Sequence, residues 1–306
     1  MPKDVFLSAT NMFIDTFIAH LESERRYSAH TVRAYSRDLQ DFKEYIGGVE
    51  ESLTLTQVDT DLVRGWAAML IDNGKSASTV NRKLSALRTF YDFMRSEGNV
   101  PENPVFDFKG PKRRMMLPTF LKEEEINAVI DDGGFSDDFS GVRDRAVIIC
   151  FYETGIRLSE LVGLNVSDID FGKDTLKVFG KRGRERIVPL VGELQLVLAD
   201  YINIRSTVAP MEENALFVSS KGARISTSQV YRLVNRSLLG KTHLNKRSPH
   251  VLRHTFATAM LNNDAELGAV KELLGHKRLT TTEIYTHLTF EELKRYYKKA
   301  HPRAGK

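Results

Sequence analysis

Thr175-Leu176-Lys177-Val178-Phe179-Gly180-Lys181-Arg182-Gly183-Arg184-Glu185-Arg186-Ile187-Val188-Pro189 reads as two alternating runs on either side of a glycine-containing turn. Period-two alternation around such a turn is the pattern of a β-hairpin, and it places Lys181 at the tip. A shorter run, Ala215-Leu216-Phe217-Val218, reads as a further strand. Around these stretches the apolar spacing is helical, so the fold expected is mainly α, with a mixed α/β second domain holding a small antiparallel sheet. Upstream of the hairpin, helices are expected near Lys122 to Asp131 and from about Arg143 to Glu153. Thr154-Gly155 ends the second, and Gly155-Ile156-Arg157 follows. Downstream, helices are expected at Glu193 to Ile204 and Ser226 to Leu238.

Outward toward the start, residues 11 to 96 read as four helices. Phe13, Phe17 and Leu21 share one face of the first. Ser28 is the N-cap of the second, which buries Val32, Tyr35, Leu39, Phe42 and Ile46 and stops at Gly47-Gly48. The third begins near Thr60 and turns Val63, Trp66, Met69 and Leu70 inward, and the fourth follows Ser76 or Ser78. Arg82, Lys83 and Arg88 fall on the opposite face of that fourth helix, where they can lie against a sugar-phosphate backbone or be an ordinary solvated face. From Gly98 to Pro118 four prolines and the basic run Lys112-Arg113-Arg114 break the pattern. This divides the chain into a domain over 1–98, a linker over 99–117 and a second domain over 118–306.

Hydrophobic content of 42% supplies real cores. No apolar run approaches the roughly 20 residues that span a bilayer, and the start lacks a signal-peptide pattern, so a cytoplasmic protein is expected. The single Cys150 sits in an apolar run and reads as a small buried hydrophobe. Net charge is only +4, but Lys241 to Lys306 holds 13 Lys and Arg against 6 Asp and Glu, while the first 240 residues hold 31 against 34. A basic last third suits a polyanion.

That last third also carries the chemistry. Ser248-Pro249-His250-Val251-Leu252-Arg253-His254 opens a helix with an N-cap serine and proline at the first helical position. His250 and Arg253, three apart, then share a face. Glu266 to Leu274 is a further helix capped by Gly275, and His276 emerges past it. Thr280 and Glu283 have capping-box spacing, which starts a short helix bearing Tyr285. A second capping box, Thr289 with Glu292, opens the last helix, with Leu293, Tyr296 and Tyr297 along one side. Each residue has a plain reading when taken alone: a core tyrosine, an ion-paired arginine, a solvated turn lysine, a histidine pair of metal spacing. The zinc reading fails because Val251 stands where a metalloprotease has glutamate and the chain has one thiol.

Taken together, Gly155-Ile156-Arg157, Lys181, His250-x-x-Arg253-His254, Leu273-Leu274-Gly275-His276 and Tyr285 resemble the active-site signature of the tyrosine site-specific recombinases, the phage-integrase family. Tyr27-Ser28-x-x-Thr31-x-x-x-Tyr35 and Asn81 to Leu87 resemble its core-binding domain, a four-helix SAM-like unit. The ending Lys298 to Ala304 resembles the Xer subgroup. The resemblance implies a DNA strand transferase with Tyr285 as nucleophile, forming a 3′-phosphotyrosyl link and a free 5′-hydroxyl on the way to a Holliday junction. Arg157 and Arg253 suit bidentate contact with the non-bridging oxygens. Lys181 is placed to protonate the leaving oxygen, His250 to accept a proton, and His276 to bond the phosphate.

No metal, ATP or other cofactor is required on this reading. Arg82, Lys83, Arg88, Lys112, Arg113 and Arg114 are the candidate DNA contacts. The partners implied are a double-stranded recombination site, three further subunits of the same or a second Xer-type chain, and a DNA translocase as activator. The last helix is expected to dock on a neighbouring subunit. The role implied is resolution of chromosome dimers at a dif-type site during cell division. The alternatives are an integrase or invertase of a mobile element, disfavoured because only about ten residues precede the first helix, and, from another class, a non-catalytic architectural DNA-binding protein.

Overall fold

The computed structural model describes residues 3–23, 27–112, 119–132, 134–180, 183–208, 212, 214–275 and 289–304, with residues 3–10 by backbone alone. The chain divides into two compact units, Met1–Met116 and Leu117–Lys306.

The first unit is built of α1 (Lys3–Ser23), α2 (Ala29–Val49), α3 (Thr60–Asp72) and α4 (Ala77–Ser96). Their starts follow from capping chemistry. Ser28, Asp59 and Ser76 are extended residues whose side-chain oxygens accept the N–H three positions on, each satisfying a donor the helix cannot. Inside, Phe17 meets Phe90 edge-on at 5.4 Å and Trp66 meets Phe42 at 4.8 Å. Tyr91, fully buried, donates to Leu55 O at 2.8 Å.

Three features differ from expectation. The first helix starts at Lys3 rather than near Asn11. The second passes through Gly47-Gly48, where nothing crowds either glycine, and stops at Glu50. And the segment from Val100 to Phe108, read as linker, packs into this unit: Val100, Asn103 and Val105 are buried. A proline-rich segment has few regular backbone partners. Its carbonyls are satisfied by Arg88, whose Nε donates to Val105 O at 3.1 Å and Nη2 to Phe108 O at 2.9 Å.

The second unit comprises α5 (Glu123–Asp131), α6 (Phe139–Thr154), α7 (Leu158–Gly163), β1 (Ile169–Asp170), β2 (Thr175–Phe179), β3 (Glu185–Pro189), α8 (Glu193–Arg205), α9 (Thr227–Leu238), α10 (Pro249–Asn262), α11 (Leu267–Leu274) and α12 (Phe290–Ala300). α6 is its axis. Every residue from Ala146 to Thr154 is buried, so the helix has no polar face, and it lies between α8 and α10. Burial pushes the Cys150 thiol up to about 12, leaving it an inert core group.

The hairpin forms as expected, with Leu176 facing Val188 and Phe179 facing Glu185. The two-residue β1 adds an antiparallel edge to β2. Ala215 to Val218 is not a strand. It makes isolated bridges to Asn165 and Arg224, because single contacts at each end replace a ladder.

α12 lies against α10, α11 and β3 of its own chain, with Leu293, Tyr297 and Ala300 buried. Beyond it His301 stacks on Tyr297 at 5.0 Å, and Arg303 pairs with Glu193 and Asp131. In the single chain Leu293, Tyr297 and Ala300 are the residues that α12 buries. Among the described residues no helix is long and apolar enough to cross a membrane.

Candidate active site

The site is assembled where three helix ends meet. α6 ends at Gly155, which adopts φ 59° as a left-handed cap. A β-carbon there would stand 2.4 Å from Phe256 Cδ1 and 2.8 Å from Leu274 Cδ2, so both conformation and packing require glycine. The turn places Arg157 at the N-cap position of α7. Glu160, three residues on, accepts the Arg157 backbone N–H at 2.8 Å and its Nη1 at 2.7 Å. α11 ends at Gly275, also left-handed at φ 64°. α10 presents Arg253, 8% exposed, one turn from the exposed His250, while Val251, Leu252 and Phe256 point into the core.

The guanidiniums converge on the end of α11. Arg253 donates to Gly155 O at 2.5 Å and to Leu274 O at 2.7 Å. Arg157 donates to Gly275 O at 3.3 Å. The last carbonyls of a helix have no intrahelical partners and carry the negative end of its dipole, so they hold cations without a full counter-charge.

This placement shifts the proton affinities of the site's groups. Burial, and then the neighbouring positive charge of Arg157, push Arg253 down to about 10. Partial burial, and then the charges of His254, Arg253, Lys246 and Arg157, hold His250 below the ordinary histidine value. At neutral pH that imidazole is uncharged and able to accept a proton. Burial alone would raise Glu160, but hydrogen bonds from Arg186 and Arg157 outweigh it and hold the carboxyl at about 2. The arrangement is a pocket of excess positive charge with a neutral base beside it, suited to an anion that gains charge during reaction.

Of the residues expected from sequence, Arg157, His250 and Arg253 are gathered here. Lys181, His276 and Tyr285, with the Thr280–Glu283 capping box, lie outside the described residues, as do Arg113 and Arg114. Tyr297 and Tyr296, rivals of Tyr285 on paper, are a buried and a half-buried packing residue of α12. Among the DNA-contact candidates, Lys112 and Arg82 are exposed, although Arg82 pairs with Asp38. Lys83 is not on an open face: it is 5% exposed, 3.0 Å from Asp38, paired also with Asp41, and 5.7 Å over the Trp66 ring. Buried Asp38 requires a cation, and Lys83 supplies it. Arg88 is committed to the carbonyls of Val105 and Phe108. Glu160 and Arg186 were not singled out from sequence. Glu160 had a local signal, the three-residue spacing that lets a side chain return to the N-cap N–H. Among the described residues no group of three or more His, Cys, Asp or Glu is gathered that could hold a metal ion.

Comparison with known proteins places the fold in a family. The family model described as Phage integrase family matches residues 119–292, and that of the Phage integrase, N-terminal SAM-like domain matches residues 14–98. The chain belongs to the phage integrase family, the tyrosine recombinases. It is 39% identical to the tyrosine recombinase XerC of Alcanivorax borkumensis, covering 95% of this chain and 94% of that one. It is 36% identical to the tyrosine recombinase XerC of Vibrio cholerae, covering 96% and 93%. Two solved structures share the fold. One is the XerH site-specific recombinase bound to a palindromic difH substrate in a post-cleavage complex, with TM-score 0.71, 23% identity and coverage of 90% and 81%. The other is a lambda integrase dimer bound to a COC′ core site, with TM-score 0.69, 19% identity and coverage of 97% and 79%.

Proposed function

We propose that this chain cuts and rejoins DNA at a specific site, with Tyr285 as nucleophile, and that its role is the Xer-type resolution of chromosome dimers in the cytoplasm. The observation that carries the reading is the convergence of Arg157 and Arg253 on the end of α11, eleven positions before Tyr285 in sequence (Leu274 to Tyr285). In the proposed reaction the Tyr285 oxygen attacks phosphorus and passes its proton to His250. The bond from phosphorus to the 5′ oxygen breaks, and Lys181 supplies the proton that makes the 5′-hydroxyl. Arg157 and Arg253 bond the non-bridging oxygens as negative charge builds on them. The reverse sequence, with a 5′-hydroxyl from another duplex, joins the exchanged strand. Energy is retained in the phosphotyrosyl bond, so no nucleotide is consumed. The metal-free reading stands on the supply of cationic side chains for the phosphate.

Near-complete coverage of relatives named XerC supports the Xer role. On that role the active unit is a tetramer on DNA, alone or with a second Xer-type chain, activated by a DNA translocase. The exposed Arg82 and Lys112 are the remaining described candidates for backbone contact. The test is to recover DNA covalently attached to the protein from cells that carry it, and to sequence it, with Tyr285→Phe as control. One chromosomal peak absent from the control is expected. Peaks at mobile-element ends would move the role to integration or inversion, and occupancy without any covalent DNA would make this a binding protein.

A further inference from the structure

The end of α11 is held by a third guanidinium that the mechanism above does not use. Arg186, on β3, donates from Nε to Leu273 O at 2.7 Å and from Nη2 to Glu160 Oε2 at 2.8 Å. Three successive carbonyls, Leu273, Leu274 and Gly275, are thus each taken by a different arginine: 186, 253 and 157. Glu160 is shared, with one oxygen on Arg157 and the other on Arg186. Arg186 is not placed as a phosphate ligand. Its side chain is 12% exposed, against 39% for Arg157, and, unlike Arg253, it is neutralised by direct pairing with the Glu160 carboxylate. Its planar fork spans two elements at fixed spacing, which a lysine cannot reproduce.

We propose that Arg186 is a positioning residue for strand cleavage: by bonding Glu160 and Leu273 at once, it sets the Arg157 guanidinium relative to the end of α11, from which the chain runs on to His276 and Tyr285. Without Arg186, Glu160 has one guanidinium instead of two, and Oε2, released by Arg186, competes for the Arg157 guanidinium, the carboxylate's sole counter-ion. The group meant for a phosphate oxygen is then neutralised by a carboxylate. Arg186 also belongs to the strand that follows Lys181, so the same two bonds tie the hairpin to α11. The inference rests on the strand-transfer reading above.

The test compares Arg186→Gln with the wild-type chain on two duplexes carrying the recovered site. One has the normal scissile phosphodiester. The other has a methylphosphonate there, which replaces one non-bridging oxygen by a neutral methyl and removes the charge that Arg157 would meet. On the phosphodiester, cleavage by Arg186→Gln is expected to fall by up to about a hundredfold, the loss that a misplacement of about 1 Å in a reacting group can bring. On the methylphosphonate the ratio of wild type to variant is expected to shrink toward one. Unchanged cleavage of the phosphodiester overturns the proposal. So does equal slowing on both duplexes, because that is what general damage to the fold would produce. If Arg186→Gln does not fold, Arg186→Lys carries the same comparison, since it keeps the charge and loses one of the two bonds. Failure of the wild-type chain to form a Tyr285-dependent adduct would instead overturn the strand-transfer reading, and this assignment with it.

Discussion

Two clusters, one in each unit, hold their cations in opposite ways. In the N-terminal unit Lys83 sits between Asp38 and Asp41, and Arg82 shares Asp38, so two positive charges meet two negative ones. At the candidate site Arg157 and Arg186 share a single carboxylate, Glu160, and place their other described side-chain donors on backbone carbonyls, while Arg253 bonds carbonyls alone. A carboxylate cancels a cation, whereas a carbonyl dipole orients it and leaves most of its charge for a further anion. The same residue types therefore serve stability in one unit and are poised for a phosphate in the other. Count of basic residues does not distinguish these two clusters; whether a carboxylate pairs with each cation does.

The comparison breaks most readily at its two ends. Arg253→Lys, which keeps the charge and drops the planar fork, is expected to slow cleavage by about a hundredfold to a thousandfold while the chain still binds its site, measured as single-turnover adduct formation. Retention of the wild-type rate would mean that point charge alone is enough there. Lys83→Met should do the reverse. It leaves Asp38 buried with Arg82 only and is expected to lower unfolding free energy by about 3 kcal/mol in urea titration, with cleavage per folded molecule unchanged. A stable Lys83→Met that has lost activity would show that the buried cluster is functional after all.

A smaller effect probes a buried carboxyl without such partners. Burial, and then the nearby Glu193 charge, raise Glu153 to about 8, against hydrogen bonds from the Leu194 backbone and from Tyr297 Oη, the latter at 3.4 Å. A carboxyl raised in the folded state favours folding below its unfolded value near 4.5, and that contribution is lost as pH rises through about 8. The Glu153 contribution should therefore fall by about 2 kcal/mol between pH 6 and pH 8. That fall is partly offset by buried His301, which is held at about 3 by its burial and favours folding as pH rises past 6.5, and Glu153→Gln should remove the falling part. An unchanged slope in that variant would place the titrating group elsewhere.

Much of this molecule was legible along the chain. Ser28, Ser76, Ser226 and Thr289 begin helices because a side-chain oxygen three residues before an N–H is a local matter. The hairpin register follows from alternation, and Gly155 and Gly275 mark helix ends by their freedom at positive φ. Arg157, His250 and Arg253 stood out by type and spacing. The readings that failed share a cause. Lys83 has the helical spacing of the apolar stripe, with Val80, Leu87 and Phe90, and Arg88 borders it, but nothing local tells that Asp38, 45 residues away, supplies the counter-charge, or that the carbonyl of Val105, 17 away, engages Arg88. Ala215 to Val218 has the composition of a strand but no neighbour in register.

What the sequence determined by itself was the family, the helical architecture and the identity of the candidate chemical groups, because these depend on residue type and on spacing within a few turns. Tertiary structure alone decided which cations are neutralised and which are held open, since that depends on acceptors brought from 21 to 118 residues away. It also decided that Arg186, one more basic residue in a basic hairpin, reaches across 87 residues to the end of α11. Charge is written in the sequence, but its availability is set by what the fold places within about 3 Å of it.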